Sequence, residues 1–358
     1  MHMADALLSP TVGATMWAAS MAVTAGCARH LRRRRDDRLV PLMGVLGAFV
    51  FTAQMINFAI PGTGSSGHLG GGLLLAILLG PAAAFLVITS VLAIQALFFM
   101  DGGLLALGCN IFNLGFLPAF VAYPLLYRPL AGHTCHGGRA ALAAVLAAII
   151  GLQLGALSVV LETTCSGISA LPYRAMLLLM QPIHLAIGTV EGLATAALVG
   201  FLAQARPEAL LTIPANTPAT PFTRPLRPVL LGLLLAAALL GGLVSWLASV
   251  RPDGLEWSIA KLTGHEELPS PANRTHVQAA HLQQQTALLP DYNFPAAPPA
   301  PATATPPATA TTPATPPPDA PASQTGTSVA GLLGGVLSLA LAGLTGLVLQ
   351  IRTRKKRC

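Results

Sequence analysis

The second residue is a histidine, one peptide bond from the amine of Met1. Three nitrogens therefore follow one another: the Met1 amine, the backbone nitrogen of His2 and the His2 imidazole. Amine and amide close a five-membered ring through a metal ion, and amide and imidazole Nδ1 close a six-membered one, which holds the three donors nearly in a plane. A fourth ligand from elsewhere would complete a square. Square-planar nitrogen coordination favours Ni(II) or Cu(II), and a deprotonated amide suits cations high in the affinity order. Met1 is expected to stay in place, because removal of an initiator methionine requires a small second residue and His2 is large.

The candidate for the fourth ligand is His68, in the glycine-rich stretch INFAIPGTGSSGHLGGG. Glycines permit the tight turns such a loop needs. Ser65 and Ser66 are placed to hold that loop, and Asn57 to bond the non-ligating nitrogen of a histidine, as groups around metal ligands commonly do. A terminal histidine by itself is more often solvated than ligating; a second one on the same side of a membrane shifts the balance. The cluster HTCH, with His133 and His136, has metal-like spacing but lies in a basic loop without partners, and reads as solvated. His265, His276 and His281 are likewise expected in solvent, collecting metal weakly at most. The five cysteines, Cys27, Cys109, Cys135, Cys165 and Cys358, form no CxxC pair, hence neither a disulfide framework nor a zinc signature.

The elements that must position these residues are membrane helices. Of 358 residues 53% are hydrophobic and 9% charged, against roughly 25% charged in a soluble domain. The net charge of +7 sits in clusters between apolar runs, which reads as cytoplasmic loops rather than a nucleic-acid surface. RHLRRRRDDR follows the first apolar stretch instead of preceding it, so that stretch is a retained span with its amino terminus outside. Runs long enough to cross, at about 20 residues each, cover 6–28, 39–59, 104–127, 139–161, 173–203, 228–249 and 328–351. Residues 69–100 are either one tilted helix or two short ones meeting at Gly80-Pro81, a pair that punctuates helices. Only a double crossing puts YRPLAGHTCHGGR, the 206–227 connection and the tail RTRKKRC all inside.

The expected architecture is therefore an all-α polytopic membrane protein of about nine segments, seven plus two. Residues 1–205 form the metal-binding unit, 206–227 a cytoplasmic linker, 228–351 a two-helix region flanking an external segment at 251–325, and 352–358 a basic cytoplasmic tail. The stretch 295–322 is Pro/Ala/Thr low complexity, an extended spacer that buries no core. RPDGLEWSIAKLTG, by contrast, has a turn followed by an amphipathic stretch and is expected to lie on the outer face. Within the membrane, Asn110, Asn113, His184 and Glu191 are costly unless paired or lining a polar path. His184 and Glu191 stand two turns apart on one face, as an interhelical contact or part of an ion path.

MHMADALLSP, VPLMGVLGAFVFTAQMINFAIPGTGSSGHLGGGLL and QALFFMDGGLLALGCNIFNLG resemble the substrate-binding membrane component of energy-coupling-factor importers for nickel and cobalt, the CbiM/NikM family. RPDGLEWSIAKLTG, LLPDYNFP and SVAGLLGG resemble its small CbiN/NikN-like partner subunit with a PDGLE domain, here in the same chain. The likeness covers nearly all of residues 1–350 except the spacer. It departs at Ala6 and Leu7, where the family often has Gly and Phe, but these are not ligand positions. The resemblance implies that the metal is held by the terminal amine, the second-residue amide nitrogen, that histidine's side chain and the loop histidine, which here are Met1, His2 and His68. It also implies a transmembrane coupling protein and a pair of cytoplasmic ATPases as partners; the sequence has no GxxxxGK[ST] loop of its own. Such a chain carries Ni(II) or Co(II) as cargo, needs no cofactor and performs no covalent chemistry. The rival readings are a secondary transporter driven by an ion gradient, with His184 and Glu191 as proton groups, a membrane enzyme, which lacks a catalytic constellation, and a metal-sensing receptor, which lacks a signalling domain.

Overall fold

The computed structural model describes residues 2–33, 36, 38–132, 137–205, 226–295 and 324–354. Met1, His133, His136, most of the 206–227 connection, the spacer from residue 296 and residues 355–358 lie outside the described residues. The helices are α1 (Pro10–Arg33), α2 (Leu39–Gln54), α3 (Gly72–Leu79), α4 (Pro81–Phe99), α5 (Leu107–Ala131), α6 (Gly138–Ser166), α7 (Tyr173–Ala205), α8 (Arg227–Gly242), α9 (Gly254–Thr263), α10 (Arg274–Thr286) and α11 (Gln324–Arg354). Five of them, α4 to α7 and α11, are long and apolar enough to cross a membrane. The chain is an all-α polytopic membrane protein, and each apolar run counted in the sequence contains a helix.

Residues 69–100 form two helices rather than one. Gly80, at φ 80° and ψ 159°, takes a conformation open only to glycine, and Pro81 starts α4 at a position where its missing N–H is not needed. The 8 residues of α3 are all buried. At 1.5 Å per residue α3 is about 12 Å long, a half-length helix sheathed by α4 and α5. Pro118 and Pro124 fall inside α5, and residues Phe112–Tyr127 wind there as a π-helix, since a proline in a helix interior removes a donor and crowds the preceding turn.

Helices α6 and α7 pair along their length, while α8 and α11 both pack on α2 and on each other. In the segment between α8 and α11, α9 lies against α7. Asp253 starts that helix: its carboxylate accepts from the N–H groups of Leu255 and Glu256, while Glu256 accepts from the Asp253 N–H. Such a capping box contributes about 1 kcal/mol. A second helix in this segment, α10, capped by Asn273, was not expected from the sequence. At the other chain end, Met3, Leu7 and Leu8 are fully buried. The amino-terminal segment is thus threaded into the bundle rather than lying in solvent.

Candidate metal site

Residues 2–8 are fixed from two sides. Asn110 on α5 accepts from the Met3 N–H at 2.8 Å and donates to its carbonyl at 3.2 Å, which also satisfies an intramembrane amide. Asp5 accepts from the Ala106 N–H at 2.9 Å. From α10, His276 Nε2 stands 3.0 Å from the carbonyls of both Asp5 and Leu8. His276 is 1% exposed, so the expectation that it is solvated is corrected: it ties α10 to the amino terminus, while His265 and His281 are exposed.

This anchoring brings His2 onto His68. The two imidazoles stack with centroids 4.9 Å apart and planes 8° from parallel. Around His68 the chain makes a short antiparallel pair, Phe58 opposite Gly67 and Ala59 opposite Ser66. Ser65 bonds Thr63 at 3.0 Å. Ser66 donates to the Arg251 carbonyl at 2.7 Å, and its N–H to that of Pro252 at 2.8 Å. The side after His68 is held by Glu191 of α7, whose carboxylate accepts from the N–H groups of Gly70 at 2.7 Å and Gly71 at 3.1 Å. Glu191 therefore makes a helix-to-loop contact in place of the interhelical one expected.

Two expected contacts of the histidines differ in the structure. Nδ1 of His2, the nitrogen assigned to the six-membered chelate ring, lies 3.0 Å from Asp101 Oδ1; a buried imidazole N–H needs an acceptor, and Asp101 supplies it. Closing the chelate requires the ring to leave Asp101. Asn57, expected to bond an imidazole nitrogen, instead has a buried Oδ1 without a partner, because Nδ1 of His68 is held by the Leu69 carbonyl at 3.2 Å. A carbonyl only accepts, so this contact makes Nδ1 the protonated nitrogen and Nε2 the electron-pair donor.

Burial is the largest of the effects that lower the His68 pKa to about 3, which keeps the imidazole neutral. For Asp101, burial works to raise the carboxyl, but His2 and the hydroxyl of Tyr292 outweigh it and hold the group below the usual carboxylate range. Tyr292 follows α10 and donates to Asp101 Oδ2 at 2.5 Å; its ring stacks on Phe99 at 5.1 Å. Met100, Asp291 and Tyr292 all take left-handed backbone, with φ of 59°, 50° and 59°, at a cost of order 1–3 kcal/mol each. Surrounding contacts sustain it, including the Gln283 amide donating to the Gly102 carbonyl at 2.8 Å. Neither Asp101 as the partner of His2 nor Tyr292 as the partner of Asp101 was expected from the sequence. The available signal was an acid just after α4, within FFMDGG, on the side where Met1 and His68 were expected.

Among the described residues no three His, Cys, Asp or Glu side chains converge as a metal cluster. What the site offers is two imidazoles, one carboxylate and the backbone of the amino-terminal segment. Backbone and imidazole nitrogens suit borderline divalent cations better than hard ones.

Fold and site together define a polytopic helical membrane protein that gathers buried imidazoles at one end of its bundle. The chain belongs to the CbiM family: the model of the cobalt uptake substrate-specific transmembrane region matches residues 2–209, and that of the PDGLE domain matches residues 227–351. A putative fused nickel transport protein NikMN of Archaeoglobus fulgidus is 32% identical over 95% of this chain and 96% of its own length. A putative metal transport protein of Haloquadratum walsbyi is 38% identical over 62% of this chain and 98% of its own. A crystal structure of a transition metal transporter superposes with a TM-score of 0.51 at 33% identity, covering 57% of this chain and 93% of that one. The chain is a membrane component of metal transport, with a CbiN-like small subunit fused to it.

Proposed function

We propose that this chain captures Ni(II) or Co(II) on the outer side of the cytoplasmic membrane and passes it inward as the substrate-binding part of an energy-coupled importer. A transmembrane coupling protein and a pair of cytoplasmic ATPases would supply the energy. The observation that carries the reading is the stacking of His2 on His68 at 4.9 Å, across a long stretch of sequence and beside a chain end fixed by Asn110. In this reading the Met1 amine, the His2 backbone nitrogen and the two imidazoles hold the cation, and binding requires the donors to shed their protons. The fused external segment walls the site: Tyr292 reaches Asp101, and Trp257 donates to the Thr63 carbonyl at 3.0 Å.

Two measurements test it. Adding two residues before Met1 removes the free amine while leaving both histidines in place, and should abolish tight nickel binding; undiminished affinity would sink the reading of the site. Nickel uptake by cells expressing the chain should also depend on co-expressed ATPase partners. Full uptake without them would favour the gradient-driven alternative.

A further inference from the structure

His184 of α7 is 0% exposed, and its two nitrogens have different fates. Nδ1 lies 2.8 Å from the Met180 carbonyl on its own helix. Since that oxygen only accepts, Nδ1 carries the proton and Nε2 is an electron pair. Nε2 is buried with no hydrogen-bond partner, an arrangement costing about 1–3 kcal/mol unless something electron-seeking meets it. His184 lines a cavity of about 10 Å³ whose wall also includes His68, Gly67, Gly70, Leu114 and Gly254, roughly the space one water molecule or one small cation needs.

The cavity is closed from outside by the first turn of α9. A Cβ on Gly254 would lie 2.6 Å from Ile183 Cγ2 and 3.1 Å from His184 Cε1, so only glycine lets the Asp253-capped helix seat there. His68 reaches both this cavity and the stack with His2, and the same kind of contact, Nδ1 to a carbonyl, makes Nε2 its electron-pair donor. Two imidazoles of one tautomer thus border a single ion-sized space on the membrane side of the capture site, surrounded by leucine and isoleucine.

We propose that His184 and His68 form a second, weaker position for the transported divalent cation, occupied when it leaves the amino-terminal chelate while His68 still holds it. Backbone carbonyls or water complete the coordination. The inference rests on the proposed capture of nickel or cobalt at Met1, His2 and His68, and assigns the next step inward to His184.

The test uses the full chain purified in detergent, with NiCl₂ or CoCl₂ as probe and bound metal counted by equilibrium dialysis. The protein extended before Met1 should still bind about one cation per chain, far more weakly than the parent. Adding His184→Phe to the extended protein should remove that binding, as should His68→Ala. In the unextended protein, His184→Phe should leave tight loading in place and slow uptake at least 10-fold, and His184→Asn should do the same if Phe impairs folding. Weak binding that is absent, or present but indifferent to both His184 variants, overturns the proposal and leaves water as the occupant. Failure of the parent to bind tightly at all would instead overturn the capture reading.

Discussion

At the scale of single residues the site divides into groups that ligate and groups that aim them. His2→Ala removes an imidazole, opens the six-membered ring and leaves an amide without a neighbouring ligand to help it give up its proton. His68→Ala leaves three nitrogens in line and one coordination position that water can fill. The expected losses in nickel affinity are roughly 100-fold for His2→Ala and about 10-fold for His68→Ala, on the scale seen when ligand shells are disturbed; competition with a chelator measures both. Parent-like binding by His2→Ala alongside a defective His68→Ala would contradict the terminal chelate. A second expectation concerns Glu256. Burial, and then the negative charge of Asp253, raise its carboxyl to about 7 from an ordinary 4.5. Between those values the native state keeps a proton that the unfolded state releases, so the group's contribution to stability falls as pH rises through that window. Glu256→Gln retains an acceptor oxygen for the Asp253 N–H without titrating. Amide protection over residues 253–263, the base-catalysed intrinsic exchange rate relative to the observed one, should then be flat from pH 5 to 8 in the variant and fall with rising pH in the parent; matching profiles would refute it. His2 and His68 were legible because chain end and glycine-rich loop announce themselves locally. Asp101 and Tyr292 were not, since their contact joins residues 191 apart and neither has a local pattern that points to the other.

At the scale of elements, the loop carrying His68 is shaped less by its own two-residue strands than by α7. Glu191 takes two successive buried N–H groups with one carboxylate, and hydrogen bonds to a charged group are worth about 1.5–3 kcal/mol each. Glu191→Ala leaves both Gly70 and Gly71 without that acceptor in a dry setting. It should speed amide exchange across residues 66–71 and weaken nickel binding roughly 10-fold or more, whereas Glu191→Gln, keeping one acceptor oxygen, should fall between. An unchanged affinity in Glu191→Ala would mean that Ser65, Ser66 and the Phe58–Gly67 pairing hold His68 unaided. The spacing of His184 and Glu191 correctly placed both on one buried face, but periodicity along a helix says nothing of what lies opposite. Here that is a loop on Glu191 and a cavity on His184. In the same way the capping chemistry of Asp253 could be read locally, while α10, polar nearly throughout and stabilised by reaching carbonyls of other segments through His276, Gln283 and Thr286, has no apolar stripe to reveal it.

For the whole molecule, the decisive constraint is that His2 touches both ends of the 69–100 segment. Its ring stacks on His68 and its Nδ1 meets Asp101. A single crossing would put residues 68 and 101 on opposite faces of a hydrocarbon core about 30 Å thick; two helices reversing at Gly80 return the chain to the face it left. Apolar length alone could not separate these cases, and charge parity favoured the second only through loops far away. With α3 and α4 counted as an out-and-back pair, the remaining segments alternate so that the segment carrying α9 and α10 falls on the side of His2, where its contacts to Thr63, Ser66, Asp5 and Asp101 also place it. The expected labelling follows. In a cysteine-free background, a cysteine introduced between residues 300 and 320 should react with a membrane-impermeant maleimide added to intact cells. One introduced after Ile351, in a tail whose basic residues favour the cytoplasm, should react only after the membrane is opened. The reverse pattern would require an odd number of crossings between residues 69 and 100, and would be incompatible with His2 reaching His68 and Asp101 together.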